Sequence, residues 1–415
     1  MNRVVVTGMG VASPLGCTVA EFWSGLLAGR SAVVALEGEE FAGLRTRIGA
    51  LVTGYVAEEH FDRKEARRMS RSSQLALVAT ARAVEQACLA RGLVDPWQVG
   101  VLIGSSIGGY SASDPFFRDF YLRGQSSPRI IPVSMNIGPS SNVSIRYGFQ
   151  GPLLSVDAAC ASAAHSVGYA YNLIRGGVLP VAVAGGADTP FAPGVMEAWC
   201  ALRALSERND NPAEACRPFS ADRDGLVLGE GAGVLILESE SHALRRGGRI
   251  LAEVVGYGAT GDSYHLTQPT RQGPVRAMRL ALEDAGLAPE QIDYINAHGT
   301  GTVFNDSNET AAIKEVFGAH AYRIPVVGNK AAVGHSIAAS GALELISCIQ
   351  SIQDQVVPPT INYKVPDPEC DLDYVTAGSR PQAICHAMSN SFAFGGSNAA
   401  LIVGRYEPAG VLAGG

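Results

Sequence analysis

The stretch Ser155-Val156-Asp157-Ala158-Ala159-Cys160-Ala161-Ser162-Ala163-Ala164 decides how this chain is read. An apolar run (Pro152, Leu153, Leu154, Val156) leads into it, and a helix of small residues from Ala161 to Tyr171 leaves it. The pattern is strand, tight turn, helix, with a cysteine on the turn. At such a position the helix dipole favours a thiolate, so the thiol pKa is expected to fall. The free N–H groups of the same turn face the place where a substrate carbonyl oxygen would sit. Taken alone, the segment is explained equally well by a buried cysteine acting as a small apolar side chain.

Working outward, the same grammar recurs later in the chain. Ile324-Pro-Val-Val-Gly-Asn-Lys330, continued through Gly334-His335 to Glu344, echoes the Cys160 segment. A helical pattern over 81–93 followed by the strand Val99–Gly104 is echoed by Arg279–Leu287 followed by Ile292–Ala297, and then His298-Gly-Thr-Gly-Thr302. The openings match more loosely, Val4–Gly10 against Glu253–Gly258. Several matches in one order imply an internal duplication, with halves spanning 1–250 and 251–415. Alternating helix and strand patterns make each half a layered α/β unit. No low-complexity linker divides them, so the halves should share a core. Ligands of open α/β sheets bind at strand ends, where a pseudo-two-fold could bring the turns at Cys160, His298 and His335 together.

Composition limits the alternatives. The 415 residues are 47% hydrophobic and 17% charged, with 48 glycines, as expected of a compact α/β enzyme with tight turns. A net charge of -7 speaks against a nucleic-acid surface. The eight cysteines form no CxxC pair and, with the histidines, no metal-site spacing. They read as reduced thiols of a cytoplasmic protein. The N-terminus lacks a signal-peptide pattern, and no apolar run is long enough to span a membrane. Positive charge clusters only around Arg63 to Arg71, which with Arg123 and Arg129 could receive an acidic partner protein.

Of the eight histidines, His60, His242, His320 and His386 lie in ordinary surface or loop contexts, and His165 is placed for packing. His265 sits in a loop that could line a channel. His298 and His335 differ, being set among residues too small to bury an imidazole. A helix start at His335 would keep its ring neutral and able to donate one N–H. A Cys–His–Asn arrangement would suggest a protease or transferase in which a base activates the thiol. Two histidines without an evident carboxylate partner suit a different chemistry. They can hold a carbonyl oxygen while an enolate forms beside a cysteine thioester. That is a decarboxylating Claisen condensation.

Six blocks in order carry a family resemblance. They are Val156-Asp-Ala-Ala-Cys160-Ala-Ser, Cys216-Arg-Pro-Phe-Ser-Ala-Asp-Arg-Asp224-Gly, Leu228-Gly-Glu-Gly-Ala-Gly233, Asn296-Ala-His298-Gly-Thr-Gly-Thr302, Gly334-His335 and Ser389-Asn-Ser-Phe-Ala-Phe394-Gly-Gly-Ser-Asn398. From nearly end to end the chain resembles the elongating β-ketoacyl-[acyl-carrier-protein] synthases of the thiolase-like superfamily. The resemblance implies a five-layered αβαβα sandwich. It makes Cys160 the acyl-accepting nucleophile, and His298 and His335 the pair that stabilises the enolate. Lys330 resembles the lysine that orders the site, through Glu344 or Glu309. Phe394 matches the gating phenylalanine, its N–H completing an oxyanion hole with that of Cys160. Thr300 and Thr302 match the threonines that bind the phosphopantetheine arm, with Ile107 and Phe392 beside the substrate. No cofactor of the protein's own is implied, because substrates arrive on acyl carrier protein. A dimer is implied, either of identical chains or with a chain-length-factor paralogue.

Three departures tilt the expectation from housekeeping fatty-acid elongation towards a type II polyketide, polyene or nodulation-like pathway. The lysine block reads Gly-Asn-Lys-Ala-Ala-Val, the Ile130–Pro139 stretch expected to line the acyl pocket looks short, and Tyr110 follows the Gly108-Gly109 turn. A non-catalytic chain-length-factor-like subunit is the competing reading, opposed by the intact Cys160, His298 and His335. A degradative thiolase would want a second reactive cysteine near the C-terminus, and Cys385 lies outside a cysteine–glycine pair.

Overall fold

A computed structural model describes residues 1–89 and 94–408. Among them, ten strands form one mixed sheet: β1 (Val4–Ala12), β2 (Val99–Gly104), β3 (Leu153–Leu154), β4 (Val181–Asp188), β5 (Gly231–Ser239), β6 (Ala252–Gly261), β7 (Tyr294–Asn296), β8 (Val326–Val327), β9 (His386–Phe392) and β10 (Ser397–Gly404). Their spatial order is β8-β7-β9-β10-β6-β1-β5-β4-β2-β3. Counted outward from the centre, each half runs first, fifth, fourth, second, third, with the same parallel and antiparallel partners. Antiparallel pairing of β1 with β6, Val4 opposite Val254, joins the two halves.

Ten helices matter for the site: α1 (Arg71–Gln86), α2 (Gly108–Arg123), α3 (Ile130–Ser134), α4 (Gly138–Tyr147), α5 (Ser162–Arg175), α6 (Pro193–Leu202), α7 (Gln272–Ala285), α8 (Val303–Phe317), α9 (Lys330–Val333) and α10 (Ser340–Asp354). Both α5 and α10 touch strands of both half-sheets, while α1 and α4 cover the outside of the first half and α7 and α8 that of the second. The half-sheets therefore face each other across α5 and α10, which gives the five layers. Three core clusters fill the spaces between layers. On β2, Val99, Val101 and Ile103 point outward while Leu102 faces the centre. Because both faces are covered, the strands read as continuous apolar runs rather than alternating ones. Small residues let the central helices come close: a Cβ at Gly341 of α10 would lie 3.1 Å from the backbone nitrogen of Ala164 on α5.

Helix α1 starts ten residues before the pattern expected from position 81, because the Ser70 hydroxyl caps it by accepting the Ser73 N–H. It ends at Gln86, and the remainder of that expectation at 90–93 lies outside the described residues. The connector before the central turn differs between halves. Residues 155–158 link β3 to the Ala159–Ala161 turn, whereas residues 328–336 link β8 to the matching Ile337–Ala339 turn and include α9. His335 thus follows a one-turn helix closed by Gly334 (φ +67°) instead of opening a helix. Cys160, His298 and His335 accordingly come from non-equivalent turns; the counterpart of the Cys160 turn carries Ala338. No helix of the described residues is long and apolar enough to cross a membrane.

Candidate active site

Cys160 lies in the middle of the Ala159–Ala161 turn, two residues before α5 begins at Ser162. Ala159 holds φ +46°, the left-handed region, and this turns the cysteine off the line of the strand. The Ser162 hydroxyl donates to the Ala159 carbonyl and accepts the Ala158 N–H, closing the turn. Cys160 Sγ and one nitrogen each of His298 and His335 lie within 4.8 Å of one another. The two imidazole rings meet edge to face with centroids 5.4 Å apart. All three side chains are at most 6% exposed and line one cavity of about 370 Å³.

Hydrogen bonds set the tautomers. The backbone N–H of Ile337 donates to His335 Nδ1 at 3.2 Å, so Nδ1 is the acceptor and Nε2 carries the proton. That Nε2 is buried with no partner in the protein. Lys330 Nζ donates to the His298 carbonyl oxygen (2.5 Å) and to Glu344 Oε1, and lies 3.4 Å from His298 Nδ1. An ammonium has no lone pair, so His298 Nδ1 is also the acceptor and its Nε2–H is free. Burial and the Lys330 charge hold both imidazoles well below the ordinary histidine pKa. They are neutral donors; at His335 the cause is burial, not the expected helix start. Protonated Nε2 atoms also make the trio a poor cation site, since each imidazole would have to surrender that proton to ligate.

The thiol does not follow the expectation of a lowered pKa. Burial pushes Cys160 up to about 12, against the opposing pull of Lys330 and of the N–H groups of Phe394 and Cys160 itself. The helix dipole is outweighed by loss of water. Those two N–H groups do converge on the sulfur, the geometry that an oxyanion beside it requires.

The other expected residues separate into distinct places. Phe394, Phe392, Thr300 and Thr302 line the cavity with the trio, and the Phe394 ring stacks on Trp199 at 6.0 Å. The Thr300 and Thr302 hydroxyls are 2.9 Å apart, and Thr302 caps α8. Glu344 is the carboxylate that meets Lys330. Glu309 instead accepts the N–H groups of His298 and Gly299 at 2.8 and 2.9 Å, fixing the turn. Ile107 stays outside the cavity, packed with Met196, Leu228 and Ile337. The Ile130–Pro139 stretch is absent from the lining too, and Ile131 and Met135 are exposed. In the basic cluster, Arg71 is committed to Glu230 and the Val52 carbonyl, leaving Arg63, Lys64, Arg67 and Arg68 exposed. His165 packs as expected, bridging Tyr257 and Ser397.

Several residues of the site were missed. Asp306 accepts the N–H groups of Thr300, Gly301 and Phe219, and buried Arg223 donates to the Thr302 and Val303 carbonyls, so together they hold the Gly299–Thr302 loop. An acid at the head of a helix just after Gly-Thr-Gly-Thr was a usable signal. Ser340 lies 2.9 Å from His335 Nδ1 and only five residues after it, while Trp199 had no local signal because its partner Phe394 is distant in sequence. His265 and Arg203 stand at the cavity mouth.

The N-terminal domain of β-ketoacyl synthases matches residues 1–243 and the C-terminal domain matches residues 251–364. Nodulation protein E of Rhizobium meliloti is 43% identical over 96% of this chain and 98% of its own length. The 3-oxoacyl-[acyl-carrier-protein] synthase 2 of Synechocystis sp. is 41% identical over 98% of this chain and 99% of its own. Among solved structures, the ishigamide ketosynthase/chain length factor superimposes with a TM-score of 0.92 at 35% identity, covering 98% of this chain and all of that one (100%). AntDE:AntF, a type II PKS acyl-carrier protein in complex with its ketosynthase bound to the hexaketide, gives 0.91 at 33% identity with the same coverage, 98% and 100%. The fold, the cavity and these likenesses agree: the chain belongs to the β-ketoacyl synthase family of carbon–carbon bond-forming acyltransferases.

Proposed function

We propose that this chain is the catalytic subunit of an elongating β-ketoacyl-[acyl-carrier-protein] synthase in a specialised pathway of polyketide, polyene or nodulation type. The observation that carries this reading is the meeting of one thiol and two neutral imidazole donors, within 4.8 Å, in a single cavity. Cys160 Sγ attacks the carrier-bound acyl thioester, and the tetrahedral oxyanion is held by the N–H groups of Cys160 and Phe394. The pantetheine thiol leaves with the cysteine proton, and the acyl group stays on sulfur. A malonyl thioester then enters, its carbonyl oxygen accepting the Nε2–H bonds of His298 and His335. Its carbon–carboxylate bond breaks, carbon dioxide departs, and the electron pair becomes an enolate. The enolate carbon attacks the acyl carbonyl, a carbon–carbon bond forms, and Cys160 leaves as a thiolate. Lys330, paired with Glu344, keeps His298 in its donor tautomer, while Glu309 fixes the turn that presents it. Phe394 gates the cavity, Thr300 and Thr302 bind the pantetheine arm, and Phe392 sits along the substrate path. The protein needs no cofactor of its own.

The halves 1–250 and 251–415 are read as duplicated units, the first supplying the nucleophile and the second both histidines. The physiological unit is a dimer, with an identical chain or a chain-length-factor paralogue. Its carrier-protein partner is drawn to exposed Arg63, Lys64, Arg67 and Arg68, near which Arg129 donates to the Arg67 carbonyl. The protein works in the cytoplasm. Mass spectrometry after incubation with a panel of acyl-carrier thioesters tests the reading. Acyl mass should appear on Cys160, vanish in Cys160→Ala, and include unsaturated or polyketo chains. Cys160→Gln, whose amide occupies the place of the acyl thioester, should keep malonyl decarboxylation. No adduct with any chain overturns the condensation, and loading of saturated medium chains only overturns the specialised pathway.

A further inference from the structure

Asp188 ends β4 with 0% exposure and, among the described residues, no cationic side chain in contact. Its carboxylate is surrounded by backbone donors. Oδ1 accepts from Ile107 and Thr189 (both 3.2 Å), and Oδ2 from Ser106 (3.2 Å), Ile107 (3.1 Å) and Ala338 (3.3 Å). The first two segments are the turn after β2 and the head of α2; the last belongs to the opposite half of the molecule. Gly108 has no room for a side chain there, since a Cβ would lie 2.6 Å from the Ser72 hydroxyl and 3.0 Å from Asp188 Oδ1.

The bond to Ala338 matters because of its neighbour. Ile337 has φ +45°, a conformation that a β-branched residue adopts only when its surroundings impose it. In that conformation its N–H points at His335 Nδ1 and leaves Nε2 as the donor, buried and without a partner in the protein. The backbone of His335 is itself paired with the first half, its N–H donating to the Val227 carbonyl (2.7 Å) and its carbonyl accepting the Gly229 N–H (2.9 Å), and the Ser336 hydroxyl donates to the Glu230 carbonyl. Within Ile337–Ala339, among the described residues, the hydrogen bond that crosses to the other half is Ala338 N–H to Asp188.

We propose that Asp188 is a positioning residue for His335: its carboxylate clamps the Ile337–Ala338 turn to the Ser106–Gly108 turn and thereby fixes the His335 tautomer that donates to the malonyl carbonyl. The inference rests on the role given to His335 above. Asp188→Asn keeps the shape but turns an NH2 group towards a ring of N–H donors, so the Ala338 anchor is lost.

The test is 15N-histidine NMR of the full chain, with the His335 signals assigned from His335→Gln, alongside malonyl-carrier decarboxylation and acylation of Cys160. In the wild type, His335 Nδ1 should resonate as an unprotonated and Nε2 as a protonated ring nitrogen. In Asp188→Asn these signals should shift or split between tautomers. Decarboxylation should fall tenfold or more, towards the roughly 100-fold that a 1 Å misplacement can cost, and by more than acylation falls. Asp188→Glu, which keeps the charge on a longer stem, should give intermediate shifts and rates, and it supplies the readout if the asparagine variant does not fold. A wild-type His335 protonated on Nδ1, or an Asp188 variant with unchanged ring signals and decarboxylation, overturns the proposal. A wild type unable to decarboxylate malonyl carrier sinks instead the reading of the site, and the tautomer measurement still decides the role of Asp188.

Discussion

At the scale of single residues, the site is governed by burial more than by helix dipoles. Cys160 rests as a thiol, because taking a thiolate out of water costs more than Lys330 and two N–H groups return. Alkylation of Cys160 by iodoacetamide should therefore rise steadily from pH 6 to 9 with no plateau, read by mass spectrometry on the Cys160 peptide; a plateau near neutrality would mean a stabilised resting thiolate. Lys330 and Glu344 are both nearly inaccessible, with side chains 1% and 3% exposed. Breaking a buried pair by removing one member typically costs about 3–5 kcal/mol. In Lys330→Met the lone Glu344 carboxyl, already pushed up to about 7 by burial, is protonated in the folded state and ionised in the unfolded one. The folded form then holds the extra proton, so the stability deficit should grow as pH rises from 6 to 8 in urea unfolding. Lys330→Met/Glu344→Leu should recover most of the stability without recovering condensation. If the double variant condenses normally, Lys330 is structural only.

At the scale of elements, what was legible and what was not follow from one cause. The strand–turn–helix around Cys160, the Val99–Gly104 strand and the duplicated order were readable because apolar runs and small-residue helices are local signals. Motifs singled out Lys330, His298 and His335, and the structure places both histidines in the cavity with Cys160, and Lys330 behind His298. The Glu344 and Glu309 assignments remained open, since which carboxylate faces Lys330 depends on how α8 and α10 pack. The Cys160 pKa and the Asp188 nest were out of reach for the same reason: both depend on burial and on groups distant in sequence, Lys330 and Phe394 for the first, Ser106, Ile107 and Ala338 for the second. His165 shows the same dependence in a measurable form. It sits on α5 and bonds Tyr257 of β6 and Ser397 of β10, and burial lowers its pKa to about 4. Below pH 6.5 the unfolded chain takes up a proton that the folded ring refuses, so stability should decline between pH 6.5 and 4. The loss attributable to this ring is on the order of 3 kcal/mol. His165→Gln should flatten that limb in thermal melts, and an unaltered acid limb would show that the ring titrates normally in the fold.

At the scale of the molecule, one face is left unfinished. Tyr110, Phe120, Tyr121 and Leu122 on α2, Ile131 on α3, Ile145 on α4 and Leu154 on edge strand β3 are all exposed, from 49% to 78%. These elements touch in succession, α2 against α3, α3 against α4 and α4 against β3, so the exposed side chains lie on neighbouring elements. Apolar side chains exposed beside an unpaired strand edge are unfavourable in water, and the proposed dimer would cover them here. The head of α2 is the turn gripped by Asp188, so exposed Tyr110 lies three residues from Ile107, which shares Asp188 with Ala338. The prediction is that Phe120→Asp/Tyr121→Asp sediments as a monomer where the parent chain sediments as a dimer, and that the monomer loses condensation while its far-ultraviolet circular dichroism is kept. An unchanged sedimentation coefficient would place the partner on a different face. A monomer with full activity would separate the interface from the catalytic cleft, and the apolar surface would then serve assembly alone.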